Sequence, residues 1–81
     1  SIVRVLRDGQ ALEVPRAAGA YLSLVPLTPV VTGVSVSGVH WPLQGATLRW
    51  GESLGISNRV VAPAARVTVG SGCLLVVQAW D

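Results

Sequence analysis

Val30-Val31-Thr32-Gly33-Val34-Ser35-Val36 carries the clearest period in the chain, and that period is two. Successive side chains of an extended strand point to opposite faces, so Val30, Thr32, Val34 and Val36 fall on one face. Val31, Gly33, Ser35 and Ser37 fall on the other, and Gly38 ends the run. A face of Gly and Ser is low enough for a second sheet or a ligand to approach closely. Upstream, residues 21–25 read as a strand stopped by Pro26 and Pro29, which cannot donate to a central ladder. Downstream, residues 39–43 and 47–50 read as short strands around a turn at Gln44-Gly45, followed by a turn at Gly51-Glu52.

The two ends of the chain follow the same pattern. Residues 2–7 and 11–14 flank Asp8-Gly9, a dipeptide suited to a two-residue hairpin whose central residues both need positive φ. Residues 66–69 and 73–79 predict a last hairpin across Gly70-Ser71-Gly72. Turn residues thus recur every ~8–12 positions and no stretch sustains a helical period. Some eight short strands in 81 residues predict one all-β domain, a small two-sheet sandwich of jelly-roll-like form.

Composition narrows the function classes. Hydrophobic residues make up 51% of the chain, which excludes disorder. Charged residues make up 12%, about half the usual share of ~25% for a soluble domain. Residues 17–48 contain no Asp, Glu, Lys or Arg. A membrane span is the first rival for such a run, but Pro26, Pro29, Gly33, Gly38 and Pro42 interrupt every window long enough to cross. Strands covered on both sides, or a subunit interface, are the better expectation. Below about 100 residues a single core is marginal, so oligomerisation or a partner domain is expected to help.

The charge of +2 comes from six scattered arginines and no lysine, without the continuous basic footprint that nucleic acid requires. Arginine without lysine among so much Ala, Val and Gly points to a GC-rich bacterial source. Cys73 is the one cysteine, so neither an intrachain disulfide nor a cysteine metal cluster is expected. The chain opens at Ser1 on a strand-like run without a leader pattern, so a fragment working in the cytoplasm is the expectation.

Catalytic chemistry is sparse. His40 and Cys73 lie far apart in the chain, Asp8 sits in a tight turn, and Glu13 and Glu52 are isolated. No glycine-rich loop followed by Lys-Ser or Lys-Thr is present. The chain alone is not expected to catalyse a reaction.

Three ordered segments carry a resemblance. Tyr21-Leu22-Ser23-Leu24-Val25-Pro26-Leu27 comes first, then Val31-Thr32-Gly33-Val34 leading into Gly38-Val39-His40-Trp41-Pro42-Leu43, then Gly51-Glu52-Ser53-Leu54-Gly55-Ile56-Ser57-Asn58. Together they resemble the C-terminal domain of thiamine pyrophosphokinases, whose patterns include Ser-Leu-Leu-Pro-Leu, Val-Thr-Gly-Val, Gly-Leu-Lys-Trp-Pro-Leu and Gly-Ile-Ser-Asn. The likeness spans roughly residues 21–77. His40 departs from it, standing where Lys is usual, and so does Arg59, where an acidic residue is common.

The resemblance implies that residues 1–81 are the thiamine-binding and dimerising domain of an enzyme that transfers pyrophosphate from ATP to thiamine, giving thiamine diphosphate and AMP. ATP and Mg²⁺ would then belong to an N-terminal nucleotide-binding domain absent from this chain, and the assembly would be a homodimer. It implies thiamine contacts at Ser57, Asn58, Trp41, Gly55 and His40.

Residue chemistry is compatible with that set. A hydroxyl and an amide can pair with an aminopyrimidine edge, and an aromatic wall suits a flat cationic ring. The plainer readings are a Ser-Asn turn, an interface or core role for Trp41, and a solvated His40. Trp50 reads as core or dimer contact and Cys73 as a buried, inert thiol. Two other functions fit the composition: a non-catalytic small-molecule- or sugar-binding module, and a purely structural assembly domain.

Overall fold

Eight strands form the body of a computed structural model that describes residues 1–50 and 56–80. In chain order they are β1 (Ile2–Leu6), β2 (Ala11–Pro15), β3 (Tyr21–Pro26), β4 (Val30–Ser37), β5 (Leu43–Arg49), β6 (Ile56–Arg59), β7 (Ala64–Thr68) and β8 (Leu74–Ala79). One 3₁₀ turn, Arg16–Ala18, follows β2. The first sheet has the order β1-β8-β3-β6, the second β2-β7-β4-β5, and every pairing within them is antiparallel. The expected two-sheet all-β sandwich is therefore the observed architecture. Among the described residues no helix is long and apolar enough to cross a membrane.

The core lies between the sheets. Leu6, Leu22, Leu24, Leu74 and Val76 from the first sheet meet Val14, Val31, Val34, Val36 and Val67 from the second, and all are buried. β-Branched residues dominate because they fit a pleated, half-covered surface. The uncharged stretch supplies β3 and β4, and each has a strand on both sides. A central position in the sheets accounts for the lack of charge over β3 and β4, while the same stretch also supplies most of β5, an edge strand. Buried Gln78 fastens the sheets together, donating from Nε2 to the carbonyls of Pro15 at 2.6 Å and Gly19 at 2.9 Å.

Both expected terminal hairpins are corrected. β1 and β2 lie in different sheets, as do β7 and β8. β1 pairs with β8 and β2 with β7, so two corner-turning segments run side by side from one sheet to the other. Gly9 has φ 73° but Asp8 does not share a positive φ, which excludes the two-residue hairpin geometry. The Asp8 carboxylate instead accepts from the Gly72 N–H at 2.6 Å, and the Gly9 N–H donates to the Val69 carbonyl at 2.9 Å. Each corner holds the other.

The middle of the chain departs from simple alternation at two glycines. β4 buries Val31, Val34 and Val36, while Val30 is exposed, so the expected face Val30/Thr32/Val34/Val36 is broken. Gly33, at φ 65°, inserts an extra residue between Val31 and Val34 and resets the side-chain phase. Gln44-Gly45 is not a turn. It is a compensating irregularity inside the single strand β5, where the Gly45 N–H donates to Ser35 Oγ at 3.0 Å. Of the expected strand at residues 39–43 only Leu43 lies in a strand, as the first residue of β5, and Val39 makes an isolated bridge to Val60.

Candidate functional site

The free side of β6 is where the site takes shape. β6 is the edge strand of its sheet and pairs on its other side with β3, setting Leu22 opposite Asn58, Ser23 opposite Ser57 and Tyr21 opposite Arg59. Leu22 faces the core, so Asn58 points inward, while Ser57 and Arg59 share the outer face with Tyr21. The connection from β4 to β5 then folds along this edge. Gly38 starts it at φ 75°, where an added Cβ would come within 2.5 Å of the Ala64 carbonyl oxygen, so only glycine fits. The Val61 N–H donates to the Gly38 carbonyl at 2.9 Å, and the His40 N–H donates to the Arg59 carbonyl at 2.8 Å.

At Trp41 a side chain takes over from the backbone ladder. Asn58 Oδ1 accepts from the Trp41 N–H at 3.0 Å, and Asn58 Nδ2 donates to the Trp41 carbonyl at 2.7 Å. The same Oδ1 accepts from the Arg59 N–H at 2.9 Å. Two N–H donors on one atom and a carbonyl beside the other fix the orientation of the amide. Asn58 is 4% exposed, and its carbonyl oxygen is fully engaged by the main chain. Its work is to set the loop that carries Trp41.

The result is a cleft of about 260 Å³ lined by Tyr21, His40, Trp41, Ser57, Asn58 and Arg59. Trp41 is 61% exposed, which discards a core role for it. The His40 ring meets the Trp41 ring edge-on, with centroids 4.2 Å apart. Opposite them the Arg59 guanidinium lies 5.1 Å from the centre of the Tyr21 ring and donates to Tyr21 Oη at 3.1 Å. Four of the five residues expected from the sequence, Ser57, Asn58, Trp41 and His40, therefore line one cleft. Gly55 lies outside the described residues.

Sequence reasoning missed Tyr21 and Arg59 as wall residues. The signal for them is the β3–β6 register, which a single sequence does not display. Trp50 is exposed rather than part of the core, and its indole N–H donates to the Pro26 carbonyl at 2.8 Å. Cys73 is half-buried rather than sealed. A larger and more open groove of about 530 Å³ crosses the outer face of the second sheet near Ser35, Ser37, Gln44 and Arg66, but no aromatic ring walls it. Among the described residues no three His, Cys, Asp or Glu side chains converge.

The family model described as the vitamin B1 binding domain of thiamin pyrophosphokinase matches residues 10–74. The chain belongs to that family. The matched span takes in β2 through β7 and every described residue of the cleft. No curated protein matches this chain. Solved structures do. The thiamin pyrophosphokinase of Geobacillus thermodenitrificans superposes with a TM-score of 0.89 at 22% identity, covering 98% of this chain and 37% of that one. The Bacillus subtilis enzyme gives 0.85 at 18% identity over 98% and 37%. A thiamin pyrophosphokinase family protein of Enterococcus faecalis gives 0.77 at 22% identity over 98% and 36%. At these identities the likeness establishes the fold. The vitamin B1 binding domain spans little more than a third of the length of each of these structures.

Proposed function

We propose that the cleft at the β6 edge is the thiamine half-site of a thiamine pyrophosphokinase. The observation that carries this reading is the convergence of Trp41, His40, Ser57 and Asn58, drawn from two separate segments, on one wall. Trp41 offers an exposed ring face for a flat cationic or aminopyrimidine ring, and Ser57 offers a hydroxyl at the rim. Small-molecule pockets ordinarily span about 300–1,000 Å³. At about 260 Å³ this cleft suits one ring of a two-ring ligand, with a second surface closing over the rest.

That second surface belongs to the whole enzyme. ATP and Mg²⁺ are assigned to a nucleotide-binding domain outside these residues, and the pyrophosphoryl transfer to thiamine takes place where that domain meets the cleft. This chain's part is to bind and orient the vitamin. A homodimer is proposed as well, with a second copy covering the outer face of the first sheet, where Val3 and Val5 stand exposed beside Leu75, Val77 and Val25. A bacterial source and a cytoplasmic location accompany this reading.

The test is direct. Thiamine added to the chain should change the fluorescence of Trp41 saturably, and Trp41→Ala should weaken binding by roughly tenfold, as loss of an aromatic wall does. Binding indifferent to both Trp41→Ala and Ser57→Ala would reject the site.

A further inference from the structure

The cleft holds one charged side chain among its described lining residues, and that charge is positive. Arg59 is held by the Tyr21 ring at 5.1 Å and by one hydrogen bond, 3.1 Å from an Nη to Tyr21 Oη. A phenol oxygen is a neutral acceptor, so among the described residues no carboxylate compensates the guanidinium charge, and most of its five donors remain for a ligand. Of the described carboxylates, Asp8 accepts from the Gly72 N–H at the far corner, and Glu13 lies 3.9 Å from Arg66 in the other sheet. His40, Trp41, Ser57 and Asn58 bring no anion to the wall.

We infer that Arg59 makes this cleft selective for a ring ligand bearing a phosphoryl group, so that it holds thiamine diphosphate in preference to thiamine. The inference rests on the thiamine reading of the site. Thiazolium is a permanent cation, and against a guanidinium it meets like charge. A phosphate presents the fork-shaped acceptor that arginine matches with paired hydrogen bonds. The spacing suits one molecule. Asn58 Oδ1 accepts from the N–H of Trp41 and from the N–H of Arg59, so both residues are anchored to a single atom. The side chains of Trp41 and Arg59 line the same cleft, so one molecule can meet both.

Calorimetric titration of the chain with thiamine, thiamine diphosphate and inorganic pyrophosphate tests this, with the Trp41 indole resonance followed in parallel. The diphosphate should bind about tenfold more tightly than thiamine, as expected of charge-assisted hydrogen bonds. That preference should shrink as salt is raised, because Arg59 is exposed. Arg59→Gln should erase it while thiamine affinity holds or rises, and Arg59→Lys should keep part of it. Equal affinities in the unaltered chain, or an Arg59→Gln loss shared equally by both ligands, would overturn the inference and leave the thiamine reading standing. Arg59-dependent binding of pyrophosphate, with thiamine leaving Trp41 untouched, would keep the anion subsite and remove the vitamin. Binding of none of the three would reject both.

Discussion

Asn58 lines the cleft with a side chain that is itself buried and hydrogen-bonded to the main chain. Its amide replaces a rung of the ladder between residues 38–41 and β6, meeting the main chain of Trp41 with both a donor and an acceptor. Asn58→Ala removes three hydrogen bonds and leaves their partners partly shielded from water, a loss of about 2–3 kcal/mol. In a domain this small that lowers Tm by on the order of 10–20 °C. If Asn58 acts through Trp41, the affinity losses from Asn58→Ala and Trp41→Ala will not add in the double variant. Strict additivity, measured by calorimetry below the melting transition, would return Asn58 to direct contact with the vitamin. The sequence offered Ser57-Asn58 as a polar pair for a pyrimidine edge, and the structure divides the pair. Ser57 faces outward at the rim, whereas Asn58 is turned inward and committed to the backbone. Residue type alone carries no information on that division, because it depends on which face of β6 meets the core.

At the scale of strands, what could be read in advance was existence and what could not was partnership. Val30-Val31-Thr32-Gly33-Val34-Ser35-Val36 announces a strand, yet its period hides the reset at Gly33. Asp8-Gly9 and Gly70-Ser71-Gly72 announce turns, but a turn that folds a strand back on itself and one that carries it to the opposite sheet use the same residues. The difference lies in contacts distant in sequence, such as the Asp8 carboxylate on the Gly72 N–H. Gly33 and Gly45, the two glycines of the β4–β5 irregularities, separate conformational strain from crowding. Both have positive φ, 65° and 60°, where a side chain costs about 1–2 kcal/mol. A Cβ on Gly45 meets nothing within 4 Å, whereas one on Gly33 comes within 3.0 Å of Gly70 Cα. Gly33→Ala should therefore lower the free energy of unfolding in urea by clearly more than Gly45→Ala does. Equal losses would mean that the approach of Gly33 to Gly70 contributes no packing constraint.

Across the whole molecule the two sheets present unlike outer faces. On the first, Val3 and Val5 are 53% and 46% exposed, and the register aligns Val3 with Val77 and Val5 with Leu75 and then Val25. On the second, Ser37 and Ser35 stand beside Arg66 and Thr68, with Glu13 next in the row. The uncharged run promised covered strands or an interface, and it supplies the central strands β3 and β4 together with most of the edge strand β5. The apolar outer face of the first sheet comes from Val3 and Val5 of β1 and the half-buried Leu75 and Val77 of β8, which lie outside that run. It continues through Ser23 to Ser57 at the cleft rim, so a partner seated there would also stand beside the ligand. Replacing both valines, Val3→Glu with Val5→Lys, should convert a dimer to a monomer in sedimentation at micromolar concentration, with the β-sheet circular dichroism retained. Ser37→Glu, on the polar face of the other sheet, should leave the dimer intact. A chain that sediments as a monomer before any substitution would remove the second copy from this face. A dimer that survives the paired valine replacement but yields to Ser37→Glu would move the interface to the opposite sheet, away from the cleft at the β6 edge.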